Sequence, residues 1–313
     1  MTPPRDPRAD GPAVTGDRDS EFTALRPHLE RVAYATLGSR AEAEDVVQEA
    51  WLRLQRTAPG EVRDLRAWAT TVVGRLALDE LGSARSRREA YVGPWLPEPV
   101  VTLHGADGGG DPADRVTLEE TVSFALLRVL ETLSPAERTA FVLHDVFGLA
   151  FAEVGEVVGR SDAAVRQLAA RARKHVEAGR PRATVAVSEA ERLDVITAFA
   201  RAAGDGDMEG LVAVLDPDVV WRSDGGGVVY ATRKPLHGAQ RVAAALLGFA
   251  RTRARSGSAV QGALVDVNGE DGLLLQTDDG ERSVLAFTVA AGRITAIDVQ
   301  RNPAKLERAP WLG

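Results

Sequence analysis

The spacing of apolar and polar positions divides the chain into three stretches. From 21 to 90 the apolar residues recur three and four apart, the period of amphipathic helices. Gly38 ends a first helix. Ser39, with Glu42 three residues on, forms a capping box that opens a second over about 40–56. In that second helix Val47, Ala50, Trp51 and Leu54 make a stripe suited to a core. Asp45, Glu49 and Arg53 fall four apart on a different face and form a charged ridge. Asp64 caps a third helix with Leu65, Trp68, Ala69, Val72 and Leu76 on its apolar side. It ends in the basic run 82-GSARSRREA-90.

Residues 92–114 break this pattern. Prolines at 94, 97, 99 and 112 and the run 108-GGG-110 mark a linker. Helical spacing resumes at about 116. Ser134, Pro135 and Glu137 supply an N-cap, a first-turn proline and a capping acid together. The segment 147-FGLAFAEVGEVVGRSDAAVRQLAARARKHV-176 predicts a short helix, a turn at Gly159-Arg160-Ser161 and a second helix capped by Ser161. After a second break at 179–188, helices are predicted over 188–204, 207–215 and 238–252. Strands are predicted over 218–223, 259–267, 272–277, 283–289 and 293–299. Asn268-Gly269 and Asp279-Gly280 are hairpin turns between the later strands. Helices first and a strand meander last describe an α+β domain with a curved sheet.

Composition narrows the function classes. At 313 residues, 44% hydrophobic, the chain has room for two or three domains with real cores. The absence of cysteine excludes disulfides, thiolate zinc sites and thiol catalysis, and the five histidines show no metal-ligand spacing. No apolar run nears the ~20 residues of a membrane span, so no membrane partner and a cytoplasmic location are expected. The net charge of −7 does not itself point to nucleic acid; the cations are local. Only Lys174, Lys234 and Lys305 are lysines.

The turn at 159–161 and the helix after it carry the clearest chemistry. A short helix, a glycine turn and a capped second helix make a helix-turn-helix, and Gly155 lets the two helices approach closely. The second helix holds Arg166, Arg171, Arg173 and Lys174 against one acid, Asp162. Its N-terminal polar residues suit base edges in a major groove and its later cations suit phosphates. The same charges also fit the solvated face of an all-α bundle.

Two segments resemble a known family. 45-DVVQEAWLRL-54 is similar to the second conserved region of bacterial sigma factors, and 133-LSPAERTAFVLHDVFGLAFAEVGEVVGRSDAAVRQLAARARKHV-176 to the fourth. In this order, separated by a linker, they resemble the extracytoplasmic-function class of the sigma-70 family. The linker's 95-WLPEP-99 resembles a motif of those members that carry a fused SnoaL-like C-terminal domain. Such domains show DGGGK and NPDKL-like motifs; this chain has 224-DGGGV-228 and 302-NPAKL-306, with Val228 where a lysine is usual and Ala304 where an acid is common.

The resemblance implies two all-α sigma domains, the second with a helix-turn-helix, followed by an α+β SnoaL-like cone domain of the nuclear transport factor 2 type. The expected boundaries are a disordered tail at 1–20, region 2 at 21–91, the linker at 92–114 and region 4 at 115–178. A short linker follows at 179–187, then the SnoaL-like domain at 188–302 and a C-terminal tail at 303–313. It implies a transcription initiation factor rather than an enzyme, with no cofactor, no metal and no catalytic residue. Its partners would be promoter DNA and core RNA polymerase, through the clamp helices of the largest subunit and the flap region. A small-molecule or protein regulator is left open.

The same resemblance assigns residues. Asp45, Gln48, Glu49 and Arg53 are expected at the polymerase. Arg75, Arg85, Arg87 and Arg88 are expected at minus-ten phosphates. Ser161, Asp162, Ala164, Arg166 and Gln167 would read the minus-thirty-five element, with Arg171, Arg173 and Lys174 on its backbone. Ala150 stands where relatives have a capping serine, a loss of about 1 kcal/mol. Trp95, Leu96, Pro97, Glu98 and Pro99 are expected to dock near Asp224, Gly225, Gly226 and Gly227, with Asn302 and Pro303 close by. A Pro-rich segment loses little entropy on docking and Trp95 is an apolar anchor. The plainer alternative packs Trp95 on a neighbouring helix.

Two competing functions use other residues. Trp221, Arg222, Asp224 and His237 at a pocket mouth would suit a SnoaL-like enzyme acting on a small apolar substrate. A ligand-responsive repressor would use the helix-turn-helix alone and leave the ridge at 45–53 unexplained.

Overall fold

The computed structural model describes residues 15–58, 60–89, 91–104, 122–179 and 187–312, with the backbone alone for 15–17, 84–89 and 256. The 108-GGG-110 run, the helix start expected near 116 and the break at 180–186 lie outside the described residues.

Helices α1 (Thr15–Leu37), α2 (Arg40–Arg56) and α3 (Leu65–Glu89) form the first module. Ser39 caps α2 by accepting from Glu42 N, the N-cap arm of the expected box. Residues 15–20, expected within the tail, are helical: α1 includes them, and its Arg18 donates to the carbonyls of Leu54 and Thr57 at the end of α2. The reason is the end of α2, whose last carbonyls accept this guanidinium, a partner the composition of the tail does not reveal.

Helices α4 (Phe124–Leu130), α5 (Pro135–Phe141), α6 (Phe151–Val158) and α7 (Asp162–Gly179) form the second module, with a π-helical turn at Val142–Val146 after α5. The Ser134–Glu137 capping box is complete. Gly159 ends α6 at φ 64°, a left-handed position that favours glycine and turns the chain into α7. Ala150 offers no side-chain cap, but Glu153 accepts from Ala150 N at 2.7 Å and keeps half of the box. One continuous apolar core joins both modules, running from Leu29, Val47 and Val73 to Leu127, Leu143, Val157 and Val165.

The C-terminal part holds helices α8 (Glu189–Asp205), α9 (Met208–Val214) and α10 (Ala239–Ser256). They pack on strands β2 (Leu215–Asp224), β3 (Leu236–His237), β4 (Val260–Val267), β5 (Glu270–Thr277), β6 (Arg282–Ala290) and β7 (Arg293–Gln300). A strand from the linker, β1 (Val101–Leu103), completes a seven-stranded sheet in the order β1-β4-β5-β6-β7-β2-β3. Only β2 and β7 pair in parallel.

Successive residues of each strand enter different cores. Leu285, Phe287, Ile297 and Val299 face inward to Phe199 and Trp221 under the helices. Val284, Ala286, Val265 and Leu274 face outward to Leu96, Phe124, Leu306 and Ala309. Both faces are therefore covered, the outer one by the linker, α4 and the end of the chain. Leu96 lies against Asp224, where 95–99 are expected to dock, and two other expectations are corrected. Part of the expected linker, Val101–Leu103, is a strand of the sheet. The expected C-terminal tail is docked, with Leu306 buried and Gln276 bonded to the backbone of Leu312.

Candidate functional site

The 224-DGGGV-228 turn, the linker and the 302-NPAKL-306 segment meet around one buried carboxylate. Asp224 ends β2 with no exposed surface. It accepts from Tyr91 Oη at 2.6 Å, Leu96 N at 2.9 Å, Gly226 N at 3.0 Å and Lys305 Nζ at 2.8 Å. Lys305 Nζ also donates to Leu96 O at 2.6 Å and lies 3.9 Å from the Trp95 ring centroid. Gln300 Nε2 donates to Pro97 O at 3.0 Å, and Asn302 Nδ2 to Tyr91 Oη at 2.8 Å. Burial, then the hydrogen bond and charge of Asp224, push the Tyr91 phenol upward, so it stays a donor. Gly226 sits at φ 66°, and a Cβ there would fall 2.5 Å from the Asn302 side chain. Glycine is the residue that allows this approach. Val228, by contrast, is 76% exposed. The ammonium on Asp224 is that of Lys305, the lysine of 302-NPAKL-306.

A second cluster ties the linker to the helical modules. Glu98 is buried and caps α2 from outside: Arg40 N donates to Glu98 Oε2 at 2.8 Å, and Glu98 N donates to Gly38 O at 2.8 Å. An acid there suits the positive end of a helix. Tyr34 Oη of α1 donates to Glu98 O at 2.7 Å. Asn268, at the β4–β5 turn with φ 55° and 2% exposed, accepts from Val100 N at 3.1 Å. Its Nδ2 donates to Tyr34 Oη at 2.9 Å and Val122 O at 3.4 Å. One side chain thus touches the first module, the linker, and the residue leading into α4.

A third contact joins α4 to the outer face of the sheet. Asp298 of β7 lies 3.1 Å from Arg222 Nη1 and 3.3 Å from Arg128 Nε. Burial pushes its carboxyl upward while the two guanidiniums pull it back.

The charged helices present their residues differently. Asp45, Gln48 and Arg53 are exposed on α2 and Glu49 partly so, with Arg53 Nε 2.9 Å from Glu49 Oε1. Arg308, near the end of the chain, forks onto Glu44 beside this ridge, one Nη2–Oε2 contact being 2.6 Å. Arg75 donates to Glu156 O of α6 at 2.9 Å. The side chains of Arg85, Arg87 and Arg88 lie outside the described residues. On α7, Asp162, Arg166, Gln167 and Lys174 are exposed, Ala164 is half-buried, and Ser161, exposed, caps through Ala164 N. Arg171 and Arg173 pair with Glu137 and Asp145 at 2.7 and 2.6 Å.

Trp221, Arg222, Asp224 and His237 do not converge. Trp221 is in the inner core, Arg222 holds Asp298 on the other face, and His237 is exposed opposite Val220. Asp224 lies four residues farther along β2 than Val220, about 13 Å at strand rise.

Comparison with known proteins decides the family. Residues 22–87 match Sigma-70 region 2 and residues 123–176 match Sigma-70, region 4. The ECF RNA polymerase sigma factor SigJ of Mycobacterium tuberculosis is 44% identical over 300 residues, covering 93% of this chain and 94% of that protein. The chain is an extracytoplasmic-function sigma factor. A second relative of the sigma factor, the probable ECF RNA polymerase sigma factor SigI of the same species, is 38% identical over 290 residues, covering 91% and 93%. The crystal structure of Mycobacterium tuberculosis SigJ superposes with a TM-score of 0.73 at 41% identity, over 93% of this chain and 99% of that one. The sigma factor therefore carries a SnoaL-like C-terminal domain behind its region 2 and region 4 modules.

Sequence reasoning missed Lys305, Gln300, Tyr91, Tyr34 and Asn268 as contacts of the sigma factor's linker. Lys305 had a signal. It is one of three lysines in an arginine-rich chain, and a compact ammonium fits between a carboxylate, a carbonyl and an indole where a planar guanidinium does not. Asn268 was read only for its turn, and its side chain had no signal of its own.

Proposed function

We propose that the SnoaL-like domain of this sigma factor controls promoter access by fixing the linker and, through it, the two DNA-facing modules in a closed arrangement. In this reading the ridge of Asp45, Gln48, Glu49 and Arg53 docks on the clamp helices of the polymerase's largest subunit, and region 4 engages the flap. Charge complementarity sets the register of the ridge. Ser161, Asp162, Ala164, Arg166 and Gln167 read the minus-thirty-five element, with Arg171, Arg173 and Lys174 on phosphates. Arg75, with Arg85, Arg87 and Arg88, serves the minus-ten strand. The sigma factor acts in the cytoplasm, where polymerase and promoter are.

Closure costs the protein part of this equipment. Arg75 is bonded to the carbonyl of Glu156, and Arg171 and Arg173 are paired with acids of their own module. The promoter gains Arg75 when the modules part, whereas the pairs of Arg171 and Arg173 lie within one module and are exchanged for phosphates only when DNA arrives. Trp95, Leu96, Pro97, Glu98 and Pro99, held by Asp224, Gly225, Gly226, Gly227, Asn302 and Pro303, form the contact whose release opens the molecule.

The observation that carries this reading is Asn268, whose amide meets Tyr34, Val100 and Val122 at once. Asn268→Gly keeps the left-handed turn and removes the amide. Run-off transcription with core polymerase should rise severalfold, with faster amide exchange over 96–101. Unchanged output together with unchanged exchange would refute the proposal.

A further inference from the structure

In the region 4 module Arg166 rests on Phe151, itself stacked with His144, two side chains that the assignments above leave unused. Phe151 is the first residue of α6. The His144 ring stacks on it with centroids 3.8 Å apart and planes 27° from parallel. The Arg166 guanidinium carbon lies over the same ring, 5.0 Å from its centroid. His144 is held in turn, its Nδ1 2.8 Å from Leu149 O. It sits in the π-helical turn Val142–Val146, a local irregularity of the kind often found at functional positions.

Arg166 is exposed on the second turn of α7, the helix whose N-terminal part faces outward. An arginine free in water samples many rotamers and loses that freedom when it forks onto a base. An aromatic ring beneath the guanidinium limits the search in advance and leaves the N–H edges free for hydrogen bonds. Arg166 has no carboxylate partner among the described ion pairs, unlike Arg171 and Arg173, so the ring is what holds it.

We infer that Phe151 is a positioning residue for promoter readout: it seats Arg166 over α7 so that the guanidinium meets one base pair of the minus-thirty-five element, and His144 steadies the ring. The inference rests on the promoter-reading role proposed for α7, and deepens it by naming how specificity at one position is set.

The test uses full-length protein with core polymerase and a set of promoters carrying each single base-pair change across the minus-thirty-five and minus-ten elements. Arg166→Ala should lose discrimination at one minus-thirty-five position. Phe151→Leu should weaken discrimination at that same position about two- to fivefold, the worth of an exposed cation–π contact. Phe151→Tyr should restore it, and minus-ten preferences should not move. Melting temperatures matched to the parent show that Phe151→Leu is folded; if it melts early, Phe151→Tyr against Phe151→His, both aromatic but differing in ring charge, makes the same comparison. Phe151→Leu with the parent's profile, or Phe151→Tyr as relaxed as Phe151→Leu, overturns the inference while leaving the reading of α7 intact. If Arg166→Ala also leaves every position unchanged, Arg166 is not a reader and the inference falls with that assignment. Loss of polymerase binding by the parent chain would instead strike the proposed function itself.

Discussion

Where α3 meets α6, the joint between the two sigma modules is apolar at its centre, with the exposed Arg75–Glu156 O contact beside it. Gly74 lies so close to Val157 and Leu143 that a Cβ would stand 3.1 and 3.2 Å from their methyl groups. Where the linker and the helical modules meet the cone, the joint is buried and polar: Asp224 with Lys305 and Leu96 N, Asn268 with Tyr34 and Val100, Asp298 with Arg128 and Arg222. Apolar contact has no direction and tolerates sliding. A buried hydrogen-bond network is satisfied in one register, and each partner removed leaves another group unpaired. The proposed function requires that the polar joint set the arrangement and the apolar one follow it.

The comparison breaks most visibly at Asp298. Asp298→Ala leaves two guanidiniums without their acid at the α4–sheet contact, a loss of about 3–5 kcal/mol. Chemical denaturation should show it, and a loss well under 1 kcal/mol would mean the contact is solvated. Gly74→Leu attacks the other joint by overpacking, at about 1–3 kcal/mol. Small-angle scattering should show the modules apart while exchange over 96–101 stays slow. Fast exchange there would show that the two joints are one unit.

The smallest effect lies at Glu44. The hydrogen bond from Arg308, opposed by partial burial, holds its carboxyl below the ordinary value of 4.5. A depressed carboxylate stabilises the fold above that ordinary value, and the contribution disappears as pH falls through the folded value. Both side chains are 41% exposed, so the effect is modest and salt-sensitive. Exchange at 306–312 should quicken on acidification below about pH 4.5 in the parent. In Glu44→Gln that step should be absent.

The helices and hairpins were legible because their signals are local. Ser39 with Glu42, Ser134 with Glu137, Gly159 and Asn268-Gly269 each act within a few residues. The runs 272-GLLLQT-277 and 283-SVLAFTV-289 carry a further local signal. Strands apolar at consecutive positions are covered on both faces. What extends and covers the sheet, β1 at its edge and residues 306–309 on its outer face, takes its order from residues more than 150 positions away or from the sheet itself. Prolines around Val101 and polar residues around Leu306 read as loop because no local rule reports a distant partner. In the candidate site, the motif residues Trp95, Leu96, Asp224 and Asn302 were nameable from resemblance, whereas Glu98's capping of α2 depends on where the chain returns in space.

The edge strand β1 pairs Val101, Thr102 and Leu103 with Val267, Asp266 and Val265. On the ribosome this pairing has no counterpart until the chain has grown by more than a hundred and fifty residues. The helical modules, emerging first and folding as units, are thus complete and waiting while the sheet that receives their connecting segment is still being made. The newborn protein passes through an interval in which its DNA-facing helices exist without the domain that later gathers them.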